Sequence, residues 1–570
     1  MAGVALRPRP PSAQAGLHRI LPQPTVSDPR IDAAVERSLW TQYVDYGTVR
    51  IGRVERPARL VTGHRKWVST LSTPLGGGRY EVAVGATDAP VQVRIGFVGH
   101  TGAETTINAG TWTVLRTELA PADGLAQRLA IEIEVPDGSV AAWGSELVVA
   151  NQPESRPPDV VLISLDTVRR DQLTPYTPAL DTTPVLAAFA HQALRFDQAI
   201  STSSWTIASH STLFTGRFPA DSLGYKSRVE PGEYTLPEIF AAGGYRTFGV
   251  SGGPYTDPRW GLHQGFDEYV VSGDRENARE ATSRAIEWMD DAGPGPVFMF
   301  LNYFDAHEPL ELSPEVRLAS GVSEDVPAPQ WFGLDSGRDP ITGAVRHRLL
   351  KAYGAELTSI DEQLGRLFEH LRSSGRWEQT LVIVWSDHGQ LLGERGHVGH
   401  AYTLDEELLR VPLIIKPPAD TVLPSGVHSG FIQSDDLFAL SQALAGQPHE
   451  EGNRMLAELS AGDSIRPLAF SKIHHEPLPE LLSHRRWRSP TQWAVQDGVT
   501  KVTRDLEGRY AAFDLTGREE RPIAVPGSES SLRGALDRFR IWAERMLLAP
   551  TVGPLSPAER ERLRSLGYIQ

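Results

Sequence analysis

The sequence predicts an α/β fold: a mostly parallel sheet sandwiched by helices, with an N-terminal β-sandwich domain ahead of it and a small C-terminal α+β subdomain behind. Three patterns carry that prediction. Residues 57–149 alternate apolar and polar side chains in short segments; from residue 158 onward unbroken apolar runs alternate with helical periodicity; and residues 451–570 lose that regularity.

In chain order, residues 1–50 are expected to be an N-terminal extension, poorly ordered in part. Residues 1–24 are rich in Pro, Ala and Arg but lack the apolar core of a secretory signal. Residues 51–150 are assigned to the β-sandwich. Segments such as Val91-Gln92-Val93-Arg94-Ile95-Gly96-Phe97 and Leu129-Ala130-Ile131-Glu132-Ile133-Glu134-Val135 have one apolar and one polar face, and Gly, Pro and Asp turns separate them. The Pro-bearing stretch 151–158 reads as a linker.

The α/β domain spans residues 158–450, where four runs stand out: 160–165, 297–301, 381–385 and, interrupted only by Pro412, 411–415. Continuous β-branched and aliphatic runs mark strands buried on both faces, as in a parallel sheet covered by helices. Residues 348–373 supply such a helix, with Leu349, Tyr353, Leu357, Ile360, Leu364 and Leu371 on one stripe and Gly375 as its stop. In the subdomain, a hairpin is predicted over 492–513 and helices over 531–548 and 557–566, the last opened by the capping box Ser556-Pro557-Ala558-Glu559.

Composition narrows the function. A chain of 570 residues is too long for one core, and 40% apolar with 22% charged residues fits an ordinary soluble globular protein. No stretch approaches the run of about 18 apolar residues needed to cross a bilayer, so no integral membrane segment is expected. The formal net charge of -15 argues against a nucleic-acid partner, because phosphate backbones are held by excess Lys and Arg. Zero cysteines exclude disulfides, thiolate metal sites and a cysteine nucleophile but leave cytoplasm and periplasm both open.

Three of the buried runs end in polar residues: Ser164-Leu165-Asp166, Asn302-Tyr303-Phe304-Asp305-Ala306-His307 and Ser386-Asp387-His388-Gly389. Ligands of open α/β sheets bind beyond the carboxyl ends of the strands, so these acids and imidazoles are candidates to converge on one site, and both residue types ligate divalent metals. Any one of them alone reads more readily as an N-cap, a turn aspartate or a core histidine; together they favour a site. The segment Gly393-Glu394-Arg395-Gly396-His397-Val398-Gly399-His400 offers two more histidines, for a second metal or simply for a surface loop. In Ser204-Trp205-Thr206-Ile207-Ala208-Ser209-His210, Thr206 opens a short helix ending at Gly216, where free backbone N–H groups and the dipole favour an alkoxide; a plain Thr N-cap is the alternative.

From about residue 159 onward these motifs resemble the sulfatase family of the alkaline phosphatase superfamily. Leu162-Ile163-Ser164-Leu165-Asp166-Thr167 is similar to the family's first strand with its metal-binding aspartate, and Leu213-Phe214-Thr215-Gly216-Arg217-Phe218-Pro219 to the segment following its nucleophile, which sets Thr206 at the nucleophile position. Ser386-Asp387-His388-Gly389 resembles the second metal-binding strand end, and His307 the family's other active-site histidine. His400 lies where sulfatases usually have a substrate-contacting lysine. Residues 494–514 and Ser565-Leu566-Gly567-Tyr568-Ile569 resemble the family's C-terminal sheet and tail.

The departures bear on the reaction. Formylglycine sulfatases need Cys or Ser, then Pro or Ala two residues on and Arg four residues on; this chain has Thr206, Ala208 and His210, and threonine cannot be oxidised to that aldehyde. Thr167 replaces the second Asp of the sulfatase Asp-Asp pair. The resemblance therefore implies a hydrolase of phosphate-type or sulfate-type esters through a covalent threonine intermediate, with phosphodiesters or phosphonate monoesters preferred. It implies a divalent metal on Asp166, Thr206, Asp387 and His388, zinc or manganese in preference to calcium, with one ion expected and room for a second. Thr206, His307 and His400 are then the catalytic candidates, and His210 and His397 candidate substrate contacts. The expected partner is a small-molecule, glycan-linked or lipid-linked anionic ester, and a homo-oligomer is allowed. The alternatives are a sulfatase without formylglycine, a phosphoethanolamine-type transferase, and a glycan-binding protein with an inactive catalytic domain.

Overall fold

The computed structural model describes residues 17–20, 44–45 and 48–545, less 73–76, 122–125, 152–155, 219–228, 230–233, 274–276, 323, 474–491 and 518. Half of the expected linker (152–155), most of residues 1–50, and the expected helix at 557–566 with its capping box at Ser556 lie outside the described residues.

The central strands are β1 (Val54–Val61), β2 (Asp159–Leu165), β3 (Leu194–Ala199), β4 (Arg246–Ser251), β5 (Glu268–Val271), β6 (Val297–Tyr303), β7 (Thr380–Trp385), β8 (Leu413–Lys416) and β9 (Gly426–Ile432). They follow one another in the sheet as β9-β3-β8-β7-β2-β6-β4-β5-β1. β2 pairs in parallel with β6 and β7, β4 in parallel with β5 and β6, and β3 in parallel with β9. The fourth apolar run does not join them in direction: β8 is antiparallel to both β3 and β7. A parallel neighbour needs a long crossover, usually helical. The chain between β7 and β8 is instead spent on loops, a short antiparallel pair (Leu391–Leu392 with Val398–Gly399) with a 3-10 turn between its strands, and a four-residue helix, Glu406–Leu409, and it returns reversed.

Every residue of β2, β6 and β7 is buried. Along β2, Val160 and Leu162 enter one apolar cluster while Val161, Ile163 and Leu165 enter the other, which is the period of two that a strand imposes. Helix α1 (Thr206–Thr215) supplies Ile207, Leu213 and Phe214 to the first cluster. Helices α2 (Asn277–Asp291) and α3 (Gly343–Ser373) supply Ala281, Trp288, Leu349 and Leu364 to the second. The long helix predicted from periodicity is therefore present, and it covers one face of the sheet.

The N-terminal strands form two layers. Ala141–Ala150, Gly78–Ala86 and Thr111–Leu119 continue beyond β1, while His64–Ser72, Ala126–Glu134, Val91–Phe97 and Ala103–Ile107 make a separate 4-stranded sheet. Tyr80, Val82, Val93, Ile131, Ile133 and Trp143 fill one shared cluster. β1 belongs to both parts of the molecule: Val54 and Glu55 pair with β5, and Ala58 to Val61 pair with the strand Ala141–Ala150. Within the expected N-terminal extension, Leu17–Ile20 pairs with that same strand and Thr48–Ile51 with β1.

At the other end a 5-stranded sheet, Ala469–Ile473, Gln492–Gln496, Thr500–Asp505, Tyr510–Asp514 and Arg521–Ile523, extends the expected hairpin, and the helix Ser531–Arg545 packs Leu532, Leu536 and Phe539 onto Trp493 and Val502.

Candidate active site

Asp166 and Asp387 stand just beyond the carboxyl ends of β2 and β7, adjacent parallel strands, and both are fully buried. Thr167 has a positive φ of 59°, a conformation few non-glycine residues adopt, and that twist aims its backbone N–H at Asp387 Oδ1, 3.2 Å away. The His388 N–H donates to the same oxygen at 2.9 Å. Asn302, on β6, donates to Asp166 Oδ2 at 3.3 Å and to the Gly252 carbonyl at 2.8 Å. The His388 imidazole lies 2.9 Å from the Gly389 carbonyl through Nδ1. A carbonyl can only accept, so Nδ1 carries the proton and Nε2 the lone pair.

Asp166, Asp387 and His388 bring ligand atoms within 4.8 Å of one another. Asp166 Oδ1 and Asp387 Oδ2 are buried and accept no hydrogen bond. Burial, reinforced by the Asp387 charge, raises the Asp166 carboxyl well above its usual range. Two buried carboxylates with unsatisfied oxygens beside a basic imidazole nitrogen are costly as they stand and fit a divalent cation, which would take the oxygens and the nitrogen as ligands.

Thr206 is the first residue of α1, and Trp205 precedes it as an N-cap without a side-chain bond, so the plain Thr N-cap is not what the helix uses. The Thr206 hydroxyl sits 3.1 Å from His388 Nε2. One turn later His210, fully buried, places Nδ1 2.9 Å from the Thr206 carbonyl and 3.5 Å from Asp387 Oδ2, and Nε2 3.0 Å from Ser164 Oγ. Burial lowers its pKa, against the pull of Asp387. Anticipated as a substrate contact, His210 is instead fully buried with both ring nitrogens engaged by the protein.

A second cluster adjoins the first. His307, Glu308 and His400 are buried with ligand atoms within 4.8 Å of one another. His307 Nδ1 lies 2.7 Å from the Glu308 carbonyl, and His400 Nδ1 lies 3.1 Å from Glu308 Oε2. Burial pushes His307 down to about 3, although Glu308 opposes the shift. The His400 ring is 4.5 Å from that of His388 and 4.9 Å from that of His307, centroid to centroid. His397 is half-buried and belongs to neither cluster. Asp305 is bound elsewhere, accepting the Ala278 N–H at the start of α2. Glu308 and Asn302 were not among the candidates from sequence. Glu308 directly follows His307, and its inward direction depends on a loop conformation with no periodic signal.

This fold, with oxygen and nitrogen donors converging at the carboxyl ends of parallel strands, places the protein among the α/β proteins of the alkaline phosphatase superfamily. The Sulfatase family model matches residues 158–446, and the chain belongs to that family. It is similar to PehA of Trinickia caryophylli, a multifunctional alkaline phosphatase superfamily protein, at 28% identity over 271 residues, 41% of this chain and 50% of that one. Choline-sulfatase of Rhizobium meliloti is 28% identical over 250 residues, 43% and 46% of the two chains. The chain thus spans about half the length of these curated relatives. Among solved structures, the phosphonate monoester hydrolase of Agrobacterium radiobacter shares the fold at a TM-score of 0.54 and 17% identity, over 70% of this chain and 98% of that one.

Proposed function

We propose that the chain is a metal-dependent ester hydrolase that transfers a phosphoryl-type or sulfuryl-type group to Thr206 and then to water, with phosphodiesters and phosphonate monoesters preferred. The observation that carries this reading is the Thr206 hydroxyl, 3.1 Å from His388 Nε2, at the edge of a cluster holding two buried carboxylate oxygens that accept no hydrogen bond. Asp166, Asp387, His388 and the Thr206 oxygen would hold a divalent cation, and the imidazole suits zinc or manganese better than calcium. When bound, such an ion neutralises charge on the attacked group and lowers the pKa of a nearby alcohol.

The chain's own groups do the rest. Because His388 Nδ1–H is committed to the Gly389 carbonyl, its Nε2 lone pair is the one that faces the Thr206 hydroxyl, 3.1 Å away. Thr206 Oγ attacks in line as its proton passes to solvent, a bond to phosphorus or sulfur forms, and the bond to the ester oxygen breaks as the leaving oxygen departs and takes up a proton from solvent. Water then attacks the same centre and restores the Thr206 hydroxyl. His210 is a positioning residue that holds the Thr206 carbonyl and stands 3.5 Å from Asp387 Oδ2. We keep 51–150, 158–450 and 451–570 as the units of the chain.

Thr206→Ala is expected to reduce turnover of nitrophenyl phosphate diesters by at least about 10³-fold. Full activity in that variant would sink the proposal. A second reading, sulfate-ester hydrolysis by the unmodified threonine, is favoured by the similarity to choline-sulfatase. Rates on matched aryl phosphate and aryl sulfate esters distinguish the two.

A further inference from the structure

We propose that the N-terminal strands take part in the chemistry: through the segment 252–260 they set the position of Thr206, with Arg50 and Asp257 as positioning residues. The segment leaves β4 and passes through two short turns, Pro254–Thr256 and Pro258–Trp260, in which Pro254, Tyr255, Thr256, Pro258 and Trp260 are buried.

Its first half touches the site at three points. The Gly252 carbonyl accepts from Asn302 at 2.8 Å, and the same amide donates to Asp166 Oδ2 at 3.3 Å. Gly253, with a φ of 78°, lies so close to Phe304 that a Cβ would fall 2.3 Å from its ring, and that ring stacks on His307 with centroids 4.2 Å apart. Tyr255 packs on Trp205, centroids 4.9 Å apart, and Trp205 directly precedes Thr206. Trp205 caps α1 without a side-chain bond, so the packing of its ring bears on where the first turn of that helix lies.

The second half is tied to the N-terminal strands. Arg50 Nη2 donates to Asp257 Oδ2 at 3.0 Å, while Asp257 Oδ1 accepts the Arg259 N–H at 3.1 Å, so one carboxylate joins the strand Thr48–Ile51 to the turn. Glu55, on β1, pairs with His263 just beyond that turn at 3.2 Å. Between the halves, the Tyr269 hydroxyl donates to the Thr256 carbonyl at 2.7 Å and the Thr256 hydroxyl to the Gly252 carbonyl at 2.6 Å. A shift at Asp257 therefore reaches Gly252 and Tyr255 through a braced segment.

A seam that merely holds two layers together is the rival. Apolar contacts of similar volume would do that at least as well as a buried ion pair, whereas a guanidinium–carboxylate pair is directional. Direction matters at a nucleophile, where a displacement of about 1 Å costs about 10²-fold in rate.

This role rests on Thr206 as the nucleophile. The double variant Arg50→Met with Asp257→Asn removes both charges together, so neither is left buried alone. In full-length protein shown to be folded by circular dichroism at the assay temperature, kcat on a nitrophenyl phosphate diester is expected to fall about 10- to 100-fold with KM held within about 2-fold. Arg50→Lys, which keeps a cation against Asp257, is expected to recover most of that loss. If the double variant does not fold, Tyr255→Leu, which leaves the ion pair in place, is expected to show the same fall in kcat. An unchanged kcat in the folded double variant or in Tyr255→Leu overturns the inference, and so does a loss carried by KM. Thr206→Ala inactive beside seam variants of full kcat removes only the positioning role; Thr206→Ala fully active removes the nucleophile assignment itself.

Discussion

Thr206 is ordinary by type and unusual by placement, because its hydroxyl meets the imidazole of His388, itself clustered with two buried carboxylates. Those carboxylates make a prediction about stability. Asp166 has its pKa raised by burial and by Asp387, so in the metal-free protein the folded state binds its proton more tightly than the unfolded chain does. The associated stability is present below the unfolded carboxyl range, about 3.9, and is lost as pH rises toward the raised folded value. A divalent cation reverses that loss, and protons compete with it. The rise in Tm on adding zinc or manganese should therefore be larger near about pH 7 than near about pH 5. Scanning calorimetry of metal-free and metal-loaded protein checks this, and an equal or larger gain at the lower pH contradicts it. At this scale the sequence was informative where residues sit at strand ends: Asp166, Asp387, His388 and His307 were all candidates from the apolar runs before them. Thr206 was legible only through its spacing from Thr215-Gly216-Arg217. Glu308 was not legible, because nothing in sequence says which way a residue beyond a strand end will turn.

Between residue and molecule, the loops that carry the site are held by elements far away in sequence. The Tyr353 hydroxyl, on α3, donates to the Thr167 carbonyl at 2.9 Å and accepts the Arg169 N–H at 2.9 Å, pinning the turn after Asp166. The edge strand Ala469–Ile473 holds the approach to α1, since the Ser471 hydroxyl donates to the Ser201 carbonyl and the Lys472 N–H to the Thr202 carbonyl. Gly389 is required by contact: a Cβ there would lie 2.0 Å from the Glu407 carbonyl oxygen. Gly389→Ala is expected to cost about 1–3 kcal/mol in stability, read by denaturant unfolding, and to weaken metal binding by moving the carbonyl that orients His388. Unchanged stability together with unchanged metal affinity would contradict that account. The helix stripe on α3 was readable because it depends on local period alone; these cross-links were not, because each joins residues more than a hundred positions apart.

For the whole molecule, β1 joins the N-terminal layers to the α/β sheet, and buried ion pairs reinforce the seam. Arg50 bonds Asp257 at 3.0 Å, and His263 pairs with Glu55 at 3.2 Å. Removing one partner leaves the other charge buried, so Asp257→Ala is expected to cost about 3–5 kcal/mol, measured by thermal or denaturant unfolding. A loss well below about 1 kcal/mol, the range of an exposed pair, would contradict a structural role for the seam. The sequence by itself determined the α/β class, the alternating N-terminal strands and the long helix, and it offered every residue of the first candidate cluster, Asp166, Asp387 and His388. These depend on local period and on the rule that sites form at the carboxyl ends of parallel strands. Only the tertiary structure decided that β8 runs against its neighbours, that β1 makes one sheet of two regions, that His210 is buried between Ser164 and the Thr206 carbonyl, and that Glu308 joins His307 and His400. Each of these is settled by which distant segment a residue packs against, and that energy resides in pairs that no single stretch of sequence contains.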